Sequence, residues 1–78
     1  MIFENIPGFN ELSEPAKKKF ISTCIVHQNS LKKEQKAGWK PIRVVEAKNH
    51  IKVHFYNGEW LNYYPNNSWE GGRERLSI

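Results

Sequence analysis

The sequence predicts an α+β fold: an N-terminal helical segment, one bent helix or two short ones, packed on one face of a three-stranded antiparallel β-meander. Three observations predict it. His50-Ile51-Lys52-Val53-His54-Phe55-Tyr56 alternates apolar and polar residues, the period of a half-buried strand. Asn57-Gly58 follows directly, and that dipeptide is the strongest short hairpin signal. Residues 13–28 repeat apolar side chains at helical spacing behind a capping serine. The 78 residues read as a single small domain: irregular at 1–12, helical over 13–38, a meander over 41–64, and a turn and tail over 65–78.

The first segment carries Phe3, Ile6 and Phe9 around the turn pair Pro7-Gly8 and is expected to plug the open edge of the core. Ser13 suits an N-cap, Glu14 the positive helix end, and Pro15 the first turn, where its missing N–H would be unpaired anyway. Ala16, Phe20 and Cys24, with Ile21 and Ile25, form the expected buried stripe; Lys17, Lys18 and Lys19 lie largely off it. The helix should run to about Gln28. Asn29-Ser30 then either bends it or, with Ser30 as cap, opens a second helix over 31–37 that stops at a left-handed Gly38. Leu31 is the one large apolar residue of that second piece, so it is weakly held in isolation.

The first strand spans 42–47. A two-residue Lys48-Asn49 loop pairs Ala47 with His50, sets Val44 against Val53 and Ile42 against Phe55, and so gathers both apolar sets on one face. The second turn admits two registers. A two-residue Asn57-Gly58 loop puts Trp60, Asn62 and Tyr64 on the core face. A three-residue loop, with Gly58 as the left-handed bulge residue, puts Leu61 and Tyr63 there and turns Trp60 and Tyr64 outward. The second is preferred because it avoids burying Asn62 in mid-strand. Trp39 is expected as a lid at the helix-to-strand corner, and Trp69 to tuck back against the sheet after the turn 65–68. Residues 73–78 are read as a tail or a short fourth strand carrying Leu76 and Ile78.

A chain this short buries only about 60% of the surface its unfolded form exposes, so its core is thin and must use its aromatic residues well. The lone cysteine, Cys24, rules out an intramolecular disulfide and a cysteine zinc site and fits a reducing compartment. No apolar run approaches a membrane span, and the start MIFENIPGF lacks a signal-peptide pattern, so a cytoplasmic location with no membrane partner is expected. The net charge of +4 is unevenly spread. Residues 17–52 hold ten Lys and Arg against Glu34 and Glu46, while the rest holds Arg73 and Arg75 against six Glu. A concentrated basic field favours a polyanionic partner; the alternative is that the lysines only keep a small protein soluble.

Catalytic residues, metal ligands and cofactor motifs do not stand out, and the reading is non-enzymatic. The chain has no Asp. His50 and His54 share a strand face but lie ~13 Å apart at the strand rise, too far to share one metal. Cys24 and His27 are within helical reach, yet Cys24 lies on the buried stripe and nothing identifiable orients His27. Gly71-Gly72 lacks the lysine and spacing of a phosphate loop. Arg43, Lys52 and His54 are of the types a small ribonuclease toxin uses, but their pattern fits binding equally well.

The outer face of the first two strands carries Arg43, Val45, His50, Lys52, His54 and Tyr56. In the preferred register Trp60 sits opposite His54 and Tyr64 opposite His50, so cations mix with exposed rings; the site is expected at Arg43, Lys52, His54, Trp60 and Tyr64. Cations neutralise phosphates and rings stack on unpaired bases, so the first expectation is a nucleic-acid-binding domain, for DNA or RNA, using these five residues with Lys17, Lys18, Lys32 and Lys33 in support. If Trp60, Tyr63 and Tyr64 are core instead, that face loses its rings. The second expectation is an accessory or inhibitor protein, of the kind mobile elements and phages carry, that binds a larger protein through Trp60, Tyr64 and Arg43. Gly38-Trp39 followed by a meander is similar in spacing to several small β modules that bind DNA or peptides. That likeness covers the second half of the chain, the helix here precedes the sheet, and no functional residue is carried across. A three-stranded meander also leaves two edges, so a homodimer through a sheet edge is a further expectation.

Overall fold

A computed structural model of the chain describes residues 2–71. Among these, one α-helix, α1 (Glu14–Asn29), packs on a four-stranded antiparallel sheet in the order β1 (Pro41–Glu46), β2 (Ile51–Phe55), β3 (Trp60–Tyr63) and β4 (Trp69–Gly71). The α+β arrangement is as expected; the fourth strand corrects the expected three. Leu61 pairs with Gly71, Asn62 with Glu70 and Tyr63 with Trp69, and the Tyr64 N–H closes the hairpin on the Ser68 carbonyl at 2.9 Å. Trp69 tucks against the core, as expected, by belonging to this strand. The expectation for Leu76 and Ile78 lies outside the described residues.

The meander follows from the two turns. The Ala47 N–H bonds the His50 carbonyl at 2.9 Å, and Val44 stands opposite Val53. The register slips between Pro41 and Arg43, so Pro41, not Ile42, faces Phe55. The extra residue is a bulge that turns Ile42 outward. At the second turn the Phe55 N–H bonds the Glu59 carbonyl at 2.9 Å, and Gly58 has φ 91°. This is the three-residue loop, with glycine in the left-handed position. Leu61 and Tyr63 accordingly point into the core.

Ser13 caps α1 by accepting the Ala16 N–H at 3.3 Å. The buried stripe is Ala16, Phe20, Thr23, Cys24 and His27. Ile25, expected on it, is half exposed, because the two polar residues Thr23 and His27 take the inward positions. The helix ends where the Ser30 hydroxyl donates to the His27 carbonyl at 2.7 Å. Residues 31–37 form no second α-helix; Lys33–Gln35 is a single 3-10 turn. Gly38 is not left-handed. Its carbonyl instead accepts the Asn57 N–H at 2.9 Å, which ties the connection to the far hairpin turn.

The N-terminal segment makes two 3-10 turns, Phe3–Asn5 and Phe9–Glu11, and buries Ile6, Phe9 and Leu12. It crosses β1 so closely that the Val44 N–H donates to the Pro7 carbonyl at 3.0 Å. Gly8, at φ 93°, sits where a Cβ would collide with the Val44 carbonyl. At the β1 edge of the sheet Val44 is therefore contacted by the chain itself, and among the described residues β4 forms the other edge.

Candidate binding face of the sheet

Because α1 and the N-terminal segment lie on the core side, the other side of the sheet carries no covering element among the described residues. Antiparallel register arranges its side chains in rows across the strands. The first row is Arg43, His54 and Trp60; the second is Val45, Lys52, Asn62 and Glu70. His50 and Tyr64 form the next, with ring centroids 5.8 Å apart. Arg43, Lys52, His54, Trp60 and Tyr64, the five residues expected to form a site, thus share one face. Arg43 is exposed and the other four are half-buried.

The His54–Trp60 pair has a geometric cause. The Phe55 N–H donates to the Glu59 carbonyl and the Phe55 carbonyl accepts the Gly58 N–H, which closes the turn at a hydrogen-bonded position. The next positions, His54 and Trp60, therefore form a non-hydrogen-bonded pair, in which side chains stand closer. Their rings lie parallel, 5° between planes and 4.3 Å between centroids. Tyr64 is held differently. Its hydroxyl donates to Glu70 at 2.8 Å, and this bond, with the carboxylate as acceptor, raises the phenol pKa above its ordinary value. Asn62 Nδ2 makes a marginal contact to the same hydroxyl at 3.5 Å.

The four lysines expected in support lie off this face. Lys17 and Lys18 belong to α1, on the opposite side of the sheet, while Lys32 precedes and Lys33 opens the 3-10 turn beyond it. Lys17 pairs with Glu14 at 3.2 Å and lies 5.8 Å from the Phe9 ring centroid. These four lysines therefore do not join the row of Arg43, Lys52 and His54 on the outer face.

A second polar cluster is internal. His27, 3% exposed, is surrounded by Trp39, Phe55, Tyr63 and Trp69, with ring centroids 4.9–5.9 Å away. Its Nδ1 lies 2.9 Å from the Tyr63 hydroxyl. Burial lowers the His27 pKa, favouring the neutral ring. Burial likewise pushes the Cys24 thiol up to about 11, against a smaller opposing effect of its hydrogen bond with Tyr63. A thiol so protonated is a poor nucleophile. Cys24 and His27 are thus linked through Tyr63 in a structural cluster, and Trp39 is the expected lid over it. The signal for His27 was its helical spacing from Phe20 and Cys24; its polarity hid it.

Two outer-face residues, His50 and Asn62, escaped the expected set. Among the described residues the buried side-chain polar atoms without a hydrogen-bond partner are His50 Nε2 and Asn62 Oδ1. An unpaired buried polar atom is unfavourable by ~1–3 kcal/mol. Among the same residues no group of three or more His, Cys, Asp or Glu side chains could hold a metal ion, and no helix is long and apolar enough to cross a membrane. Compared with protein-family models, curated proteins and solved structures, the chain matches none.

Proposed function

We propose that this is a non-catalytic, cytoplasmic nucleic-acid-binding protein that holds single-stranded DNA or RNA against the uncovered face of its sheet. The observation that carries the reading is the row Arg43–His54–Trp60, in register across three strands of an open face. Arg43 and Lys52 neutralise phosphates. Trp60, backed by the parallel His54 ring, and Tyr64, steadied by Glu70, offer π-surfaces to unpaired bases. An open, ring-bearing sheet suits splayed bases better than a duplex, whose bases are already stacked. The helix lysines contribute to the long-range field rather than to contacts. Trp60→Ala and Arg43→Glu should each weaken binding of a labelled single-stranded oligonucleotide, followed by fluorescence anisotropy; unchanged affinity in both would remove this face from consideration.

A second reading is an accessory protein that binds and modulates a larger protein through the same face. It is favoured by Ile42 and Val45, 37% and 41% exposed, and by the Glu70 carboxylate, which opposes a polyanion. Salt separates the two. Phosphate contacts weaken steeply as salt rises, whereas an interface anchored on rings and aliphatic side chains largely persists.

A further inference from the structure

The two unpaired buried polar atoms are not scattered. His50 and Asn62 occupy diagonal positions of the outer face on neighbouring strands, and both border Tyr64, His50 by its ring at 5.8 Å and Asn62 by its amide at 3.5 Å. Unsatisfied polar atoms in a folded chain call for an explanation, and two at one ring call for the same one. Asn62 Oδ1 is an acceptor with its own amide N–H₂ beside it; His50 Nε2 donates or accepts according to tautomer. Together they match the mixed donor and acceptor edge of a nucleobase, which Asn in particular can pair in two places at once. Both atoms are buried in the free protein, so the subsite requires the Tyr64 ring, tied to Glu70 by an exposed hydrogen bond, to swing aside as the base enters. His50 and Tyr64 also wall a groove of about 540 Å³ between α1 and the hairpin turns, whose lining includes Lys19 and Lys48.

We infer that His50, Asn62 and Tyr64 form a base-reading subsite, in which Tyr64 stacks on one unpaired base while Asn62 and His50 hydrogen-bond its edge, so that binding discriminates between bases. The inference rests on the nucleic-acid reading above and assigns its sequence preference, which the Arg43–His54–Trp60 row does not supply.

The test is anisotropy with labelled homopolymeric oligonucleotides of each base and an abasic strand of equal length. Wild-type protein should prefer one base over the least favoured by about tenfold or more. Asn62→Ala and His50→Ala should each compress that preference to within about twofold while keeping salt-sensitive binding, and Trp60→Ala should weaken the four homopolymers alike and the abasic strand least. In wild-type protein the Asn62 side-chain amide resonance should shift on titration with the preferred strand, a readout that does not depend on the variants folding. Equal binding of every base, or an Asn62 amide that stays in place, overturns the subsite and leaves the nucleic-acid reading standing. No binding of any strand at low salt overturns both.

Discussion

His54 and Trp60 face one another across β2 and β3 with their rings parallel at 4.3 Å, on the side of the sheet that α1 does not cover. This pair exists because a three-residue turn closed by Gly58 sets the register; a turn one residue shorter would have sent Trp60 into the core. A single choice of loop length therefore decides whether the chain has an aromatic outer face.

Trp60→Ala should weaken single-stranded oligonucleotide binding by about 5- to 150-fold, the range of one base–ring stack at ~1–3 kcal/mol. Its effect on folding should stay near or below ~1 kcal/mol, because a cross-strand pair on a solvent face contributes no more than that. Anisotropy titrations and urea unfolding of the same samples check both halves.

The distribution of lysines on two sides of the sheet gives a sharper test. Arg43→Glu and Lys52→Glu should each lower the slope of log affinity against log salt by about 0.7, the value for one phosphate contact on a single strand. Lys18→Glu and Lys33→Glu, off the face, should leave that slope unchanged. Four titrations over a salt series settle the comparison.

Ser13 joins three parts of the fold. Its side chain accepts the Ala16 N–H, its own N–H donates to Glu46 Oε1 at 2.8 Å and its hydroxyl to Glu46 Oε2 at 3.0 Å, so a β1 carboxylate completes the start of α1. Ser13→Ala should cost about 1–2 kcal/mol in urea unfolding, the upper part of the range for a lost N-cap. Ser13→Asp should recover little of it, because its carboxylate would meet that of Glu46.

His27 makes stability depend on pH. Its folded pKa lies below the unfolded value of about 6.5, so the unfolded chain takes up a proton first as pH falls. Stability from this group is intact above that unfolded value, and declines as pH drops through it toward the lower folded pKa. Thermal midpoints of wild type should fall between pH 7.5 and 5.5, and His27→Phe, which cannot titrate, should show a smaller fall. Equal falls would place the pH dependence elsewhere.

The central strand and both hairpins were legible because alternation and Asn57-Gly58 are local signals. Register carried the outer face with them, so Arg43, Lys52, His54, Trp60 and Tyr64 could be grouped from sequence. What could not be read was set by tertiary contacts. Trp69-Glu70-Gly71 has no strand pattern of its own; β3 imposes one on it. Gly38 resembles a helix stop, but its role is to accept a hydrogen bond from Asn57. His27 and Thr23 are polar, so periodicity assigned their inward places to Ile25. The bulge between Pro41 and Arg43 leaves no mark in the sequence, and it alone exposes Ile42. Lys17, Lys18, Lys32 and Lys33 precede the strands closely in sequence, but α1 and the 3-10 turn carry them off the outer face.

The measurement that bears most directly on the outer face is the titration of wild-type protein and Trp60→Ala with single-stranded oligonucleotides at about 50 and 200 mM salt, reading anisotropy and tryptophan emission together. Trp39 and Trp69 are partly buried against the core while Trp60 lies on the outer face, so the comparison with Trp60→Ala assigns the quenching. The expected result is binding that weakens several-fold with salt, accompanied by quenched emission in wild type and little quenching in Trp60→Ala. Absence of binding at the lower salt, or binding that leaves emission unchanged and is indifferent to Trp60, would contradict a nucleic-acid function for this face.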